Sequence, residues 1–267
     1  MQEIARNVYV ETGLRGCNAG FVVTSEGVVL IDTPMMPDEA LRWRDEIGKH
    51  GPIRYVINTE PHIDHFAGGH FFEAPVVAHE GARGVIAAAS VEQLTGMMAM
   101  MGAEGAAVPE GFGFRLPEVT FASRLTLHLG GLTFQLTHFP GHTPFQLAVY
   151  IPERGALFTS DNVTGRLPIF REANPQDWLA SLERMAQIGA EVLVPGHGEV
   201  GGAGYLEEMR GHIQAWVEAV ASAKRRGASL TEAQDSISLL DRHPGVSGRM
   251  MEQMQRQNIA RLYEVFQ

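Results

Sequence analysis

The segment Asn58-Thr59-Glu60-Pro61-His62-Ile63-Asp64-His65-Phe66-Ala67-Gly68-Gly69 places Glu60, His62, Asp64 and His65 within six residues. It follows the apolar run 54–58 directly. At that length the run reads as a buried strand, so the cluster lies in a strand-to-helix loop. Alternate residues of an extended segment point the same way, so Glu60 and His62 can converge on one ion. Asp64 and His65 lie at the turn and can face a second ion. Imidazole and carboxylate are ligands for zinc, iron or manganese.

Three further segments have the same character. Phe139-Pro140-Gly141-His142-Thr143-Pro144 puts a histidine in a tight turn after a strand. Thr159-Ser160-Asp161-Asn162 puts a carboxylate at the end of an expected strand, 156–159. Val194-Pro195-Gly196-His197-Gly198 repeats the strand–turn–histidine pattern. A Pro-Gly-His turn alone is ordinary turn chemistry, and an Asp after a strand is more often a cap. All four in this order are hard to assign to coincidence.

Outward from these segments, strands are expected at 7–10, 19–24 and 27–32, with Ser25-Glu26-Gly27 as a turn. Others are expected at 74–78, 125–129, 132–139, 146–151 and 192–195. Helical spacing marks 37–49, 80–89 and 175–188, the last with Asn174 as cap before Pro175. Residues 95–114, TGMMAMMGAEGAAVPEGFGF, show little periodicity and read as a structureless functional or mobile stretch. Helices are expected at 205–226, 231–240 and 246–266. The pattern suggests two packed sheets with helices outside, in one domain.

The combination resembles the metallo-β-lactamase fold superfamily. Its motifs are T-H-x-H-x-D-H, P-G-H-T, an L-F-x-x-D segment and a late G-H. Here they read Thr59-Glu60-Pro61-His62-Ile63-Asp64-His65, Pro140-Gly141-His142-Thr143, Leu157-Phe158-Thr159-Ser160-Asp161 and Pro195-Gly196-His197-Gly198. Val29-Leu30-Ile31-Asp32-Thr33 looks like the family's early strand, with Asp32 behind the ligands. The resemblance covers roughly residues 5 to 200. It implies an α+β fold, a four-layer αββα sandwich of two mixed sheets with outer helices. Residues 1–203 would form this domain, and 204–267 a helical C-terminal extension packed on it.

Carried over by position, the resemblance implies one ion on Glu60, His62 and His142 and another on Asp64, His65 and His197, with Asp161 bridging. Asp32 and Thr143 would support them. It implies a hydrolase in which metal-bound hydroxide attacks a carbonyl, with Asp64 orienting the water or carrying a proton. The two divalent ions expected are zinc, with iron or manganese as alternatives.

Those alternatives arise because Glu60 stands where the family has its first histidine. Three readings stay open: Glu60 is a ligand, only the Asp64–His65–His197 site fills strongly, or Glu60 is an acid/base beside a single metal. Added hard oxygen favours iron or manganese. Lactonase relatives place a Tyr shortly after the bridging Asp, but Asn162, Val163 and Thr164 follow Asp161 here. No familiar subfamily fits, so the expected substrate is a small ester, lactone, thioester or amide. An iron-containing oxidoreductase and a non-catalytic ligand-binding protein are the alternatives. Met97, Met98, Met100 and Met101 would form a lid over an apolar substrate, or else a homodimer contact.

The 31 acidic against 21 basic residues, a formal charge of -10, argue against nucleic acid and against an anionic membrane surface. Apolar runs are too short to span a bilayer. The start, MQEIARNVYV, has no signal-peptide pattern, and the single Cys17 excludes an internal disulfide. A cytoplasmic location is expected. Of the other histidines, His79 would cap a strand end, His138 could support His142, and His50, His212 and His243 read as surface residues.

Overall fold

The computed structural model describes residues 1–165, 167–242 and 248–266. His243 and the expected helix start at 246 lie outside them. The first sheet holds seven strands whose spatial order matches the chain. They are β1 (Gln2–Ala5), β2 (Val8–Glu11), β3 (Ala19–Thr24), β4 (Gly27–Ile31), β5 (Ile53–Ile57), β6 (Val76–His79) and β7 (Val119–Phe121). The second sheet holds β8 (Arg124–Leu129), β9 (Leu132–His138), β10 (Leu147–Ile151), β11 (Ala156–Thr164) and β12 (Val192–His197), ordered β12-β11-β10-β9-β8. Strands β4 to β7 run parallel, as do β11 and β12, and the other pairs are antiparallel. Both sheets are therefore mixed.

Strand β4 shows why the layers stack. Its side chains alternate faces. Val29 and Ile31 enter the core between the sheets, meeting Phe134, Leu136, Val149 and Phe158. Val28 and Leu30 face the other way, toward Ala40, Trp43 and Ile47 of α1 (Pro37–Ile47). A strand buried on both faces must read as a continuous apolar run, as Gly27-Val28-Val29-Leu30-Ile31 does. Strand β10 repeats the logic. Leu147, Val149 and Ile151 point between the sheets, and Ala148 points outward.

The outer face of the second sheet is covered by α5 (Pro175–Ala186), α6 (Gly204–Arg225) and α8 (Arg249–Val265). Trp178, Leu182, Ile213, Trp216, Ile259 and Leu262 share one cluster with Ala148 and Leu157. The result is the α/β/β/α sandwich. Asn174 caps α5 as expected, accepting from the backbone nitrogens of Gln176 and Asp177. The short α7 (Leu230–Ser236) opens on a capping box of Ser229 and Glu232.

Several expectations need correction. Strands β1 and β7 were not expected; both are short edge elements without clear alternation. The stretch 95–114 is not structureless throughout, because α4 (Val91–Met100) covers its start. Ser90 and Gln93 form a capping box, and Leu94 and Met98 bury one face four residues apart. Residues 101–118 contain neither helix nor strand. Strand β11 runs through Asp161 instead of ending before it. His50 is half-buried against the rings of Tyr9 and Phe21. His79 caps the helix α3 (Glu80–Ala88), its Nδ1 accepting from Gly81 N at 3.1 Å.

Phe134 is fully buried between the sheets. Phe134→Ala should lower unfolding free energy by about 3–5 kcal/mol, the range for emptying such a site. A urea titration followed by circular dichroism measures it, and a loss below about 1 kcal/mol would contradict this packing.

Candidate metal centre

The donors singled out in the sequence gather at one edge of the sandwich, most of them beyond the C-terminal ends of strands. Asp32 follows β4, and Glu60 and His62 follow β5. Asp64 and His65 lie in α2 (Ile63–Phe66). His142 follows β9, Asp161 lies in β11, and His197 ends β12. Two residues here need unusual backbone. Asp32 and Ser160 are non-glycine residues at φ 55° and 52°. Such strain persists where surrounding bonds over-determine it. The Ser160 kink coincides with breaks in the β11–β12 register and sets the direction of Asp161.

The two sheets are tied together here by hydrogen bonds. Thr59 Oγ1 meets Ser160 Oγ at 2.6 Å, and Leu147 N donates to Thr59 O at 2.8 Å. The Asn18 amide donates to the carbonyls of Pro195 and Gly198, each at 2.8 Å. Gly196 has no room for a side chain, since a Cβ there would lie 1.8 Å from Asp161 Oδ1. The glycine of this Pro-Gly-His turn is a space requirement.

The donors converge in three overlapping groups: Glu60–His62–His142, Asp64–His65–His197 and Glu60–His65–Asp161. In each, one donor atom per residue lies within 4.8 Å of the others. Asp161 Oδ2 is 3.7 Å from His142 Nε2 and 3.3 Å from His197 Nε2, so one carboxylate reaches both histidine groups. Glu60 Oε1 lies 3.2 Å from His62 Nδ1 and 3.0 Å from His65 Nε2. A fourth group, Cys17, Asp32 and His65, lies behind the site.

Each inner imidazole is oriented through its far nitrogen. His65 Nδ1 faces Asp32 Oδ2 at 2.9 Å. His142 Nδ1 donates to Ile169 O at 2.9 Å, and His197 Nδ1 to Gly16 O at 3.1 Å. A carbonyl can only accept, so both rings carry a proton on Nδ1 and turn Nε2 into the site. Asp32 also accepts from Thr59 N at 2.7 Å and from Thr59 Oγ1 at 2.5 Å. Thr143 shapes the turn after His142, its carbonyl accepting from Gly141 N. His138 does not touch His142. It meets the Pro144 carbonyl at 2.9 Å and packs against the His79 ring.

The electrostatics are those of buried charges held by one another. Burial opposes ionisation of Glu60, yet His62 and His65 keep its carboxyl below the usual range. Burial likewise opposes Asp161, and His197 and His65 outweigh it. His197 is raised to about 9: burial works against its charge, and Asp161 outweighs burial. Burial pushes His142 down and keeps it neutral, and pushes Asp32 up. The Cys17 thiol, fully buried, is pushed up to about 12.

These residues fit metal ions. Glu60 Oε2, His65 Nε2 and Asp161 Oδ1 are buried atoms without a hydrogen-bond partner, all in the donor group. Orphaned buried polar atoms are rare, and an ion explains several at once. The residues around them carry no motif in the sequence. Glu172 Oε1 lies 3.8 Å from His62 Nε2. Asn162 Oδ1 accepts from His142 N at 3.1 Å. The carbonyls of Gly16 and Ile169 leave no side-chain signal at all. The methionines divide: Met98 is buried with Met35 and Met36, Met97 and Met101 are half-buried beside Ile63, and Met100 is 64% exposed.

Comparison with known proteins bears on the family and the fold. The sequence model of the metallo-beta-lactamase superfamily matches residues 12–197. A linear primary-alkylsulfatase of Pseudomonas sp. is 25% identical over 69% of this chain and 42% of its own length. The chain thus spans about two-fifths of that relative. Among solved structures, a metallo-beta-lactamase from Pontibacter korlensis is 25% identical, with a TM-score of 0.62 over 80% of this chain and 97% of its own. A sec-alkylsulfatase from Pseudomonas sp. reaches a TM-score of 0.76 over 98% of this chain and 49% of its own, at 18% identity. The last is a likeness in fold that extends over the C-terminal helices.

Glu60→Ala should bind one divalent ion fewer per chain than the parent, or bind the first about 10–100-fold more weakly. Elemental analysis and a cobalt titration measure both. Equal stoichiometry and affinity would remove Glu60 from the ligand set.

Proposed function

The chain belongs to the metallo-β-lactamase superfamily, and we propose that it is a metal-dependent hydrolase of a small ester, lactone, thioester or amide, with two ions. The observation that carries this reading is the set of buried, unpartnered donor atoms on Glu60, His65 and Asp161. Glu60, His62 and His142 would hold one ion and Asp64, His65 and His197 the other, with Asp161 between them. When bound, the ions supply Lewis acidity, acidifying a water and drawing charge from the substrate oxygen. Zinc is the expected metal, and the Glu60 oxygen makes iron or manganese the alternative.

The chain's own residues supply the rest. Asp32 holds His65, and the Ile169 and Gly16 carbonyls hold His142 and His197, so each Nε2 is aimed before a ligand arrives. Asp64 turns Oδ2 toward His197 at 3.3 Å, and we assign proton transfer to its other oxygen, Oδ1. Ile63 lies next to His62 and packs, like Met97, Met101, Phe112 and Phe114, against the cluster of Met35, Met36, Ala67, Leu94 and Met98. This apolar wall suits the hydrocarbon part of a substrate, with the methionines adapting to its shape.

His142→Ala and Asp161→Ala should each abolish hydrolysis, a loss of at least about 10³-fold, with thermal unfolding still cooperative. The assay is a panel of chromogenic ester, lactone, thioester, alkyl sulfate and cephalosporin substrates, before and after chelation and zinc return. Turnover retained in either variant would end the two-ion reading. Tightly bound iron with a visible band and no hydrolysis would favour oxidation chemistry instead. Metal binding without turnover would favour ligand capture.

A further inference from the structure

Residues 167–173 join β11 to α5 and touch the Glu60–His62–His142 group twice. Ile169 O accepts from His142 Nδ1, and Glu172 faces His62. This loop has no strand or helix of its own. It is held by Asn258 of α8, which is 1% exposed. Asn258 Oδ1 accepts from Phe170 N at 2.9 Å, and its amide nitrogen donates to Pro168 O at 2.7 Å. One turn further on, Arg261 Nη2 donates to Ala173 O at 3.4 Å.

The Phe170 N–H and the Ile169 carbonyl belong to the same peptide group. That group is planar and trans, so its N–H and C=O point in opposite directions. Fixing one fixes the other. The hydrogen bonds run in series from Asn258 Oδ1 through this peptide to His142 Nδ1, and each polarises the next. We infer that Asn258 is a positioning residue for His142: through one peptide group it sets the tautomer and aim of the imidazole. Helix α8 thereby supports the site from outside the matched family region. The inference rests on the metal-site reading only in taking His142 Nε2 as a donor.

The test uses Asn258→Ala, Asn258→Leu and Asn258→Asp in the full chain. Leucine keeps volume where alanine leaves a cavity, and cooperative thermal unfolding identifies the removal variant to be read. Aspartate keeps the acceptor for Phe170 N–H. Long-range proton–nitrogen spectra of chelated protein should show His142 as a single Nδ1–H tautomer in the parent and in Asn258→Asp. The removal variants should show a mixture. Cobalt titration should show the Glu60–His62–His142 ion weakened about 10–100-fold in the removal variants, with the other ion unchanged.

A parental tautomer and unchanged affinity in a folded removal variant would overturn the inference. So would an equal loss at both ions, which marks a merely structural role. A parent that binds no ion would defeat the metal reading, and the tautomer measurement would still decide this one.

Discussion

Glu60, Asp64 and Asp161 are carboxylates taken out of water at a single edge of the sandwich. A buried charge left without a partner costs several kcal/mol, more than most single contacts return. The surrounding structure answers this constraint. Four imidazoles face the carboxylates, and Asp32 backs one of them. The strained turns at Asp32 and Ser160 hold the geometry. Neither sheet could supply the partners alone, because His62 and His65 follow a strand of the first and His142 and His197 belong to the second. The packing of the two sheets is thus coupled to the neutralisation of charge.

The hydrogen bonds around the donors follow a common plan. Backbone carbonyls orient two of the imidazoles, and a carboxylate orients a third. The carbonyls come from distant places, Gly16 before β3 and Ile169 in the loop after β11. The bonds themselves do not involve the side chains at those positions, although a Cβ on Gly16 would crowd Met35 and Asp64. The shape of the loops and what anchors them therefore decide whether the lone pairs point inward. At Gly16 the anchoring is local, since Asn18 ties the same loop to the β12 turn. At Ile169 it comes from helix α8.

Much of this was legible in the sequence. The donors were visible because each sits in a motif with its own turn chemistry: His62-Ile63-Asp64-His65, and the Pro-Gly-His turns of His142 and His197. The layered fold was visible because β4 and β10 read as continuous apolar runs. What was not legible depends on long-range contact or on backbone. Asn258 looks like any helical asparagine until the loop at 167–173 is placed against it. Glu172 looks like a surface acid. Helix α4 was hidden by a composition rich in Gly, Ala and Met, although Ser90 and Gln93 carry the capping signal. The full length of strand β11 is hidden because Ser160 and Asp161 break the apolar run where the site demands polar groups.

The ties at this edge join residues far apart in the chain: Asn18 to Gly198 across 180 positions, and Asn258 to Pro168 across 90. Closing such long-range contacts is slow, because loop-closure entropy is lost before they form. A partly folded chain offers an ion no more than the short run from Glu60 to His65. The full donor set arises only with the native topology. Ion capture is then a late event in the life of the chain, and free ion concentration acts on its folding equilibrium by mass action.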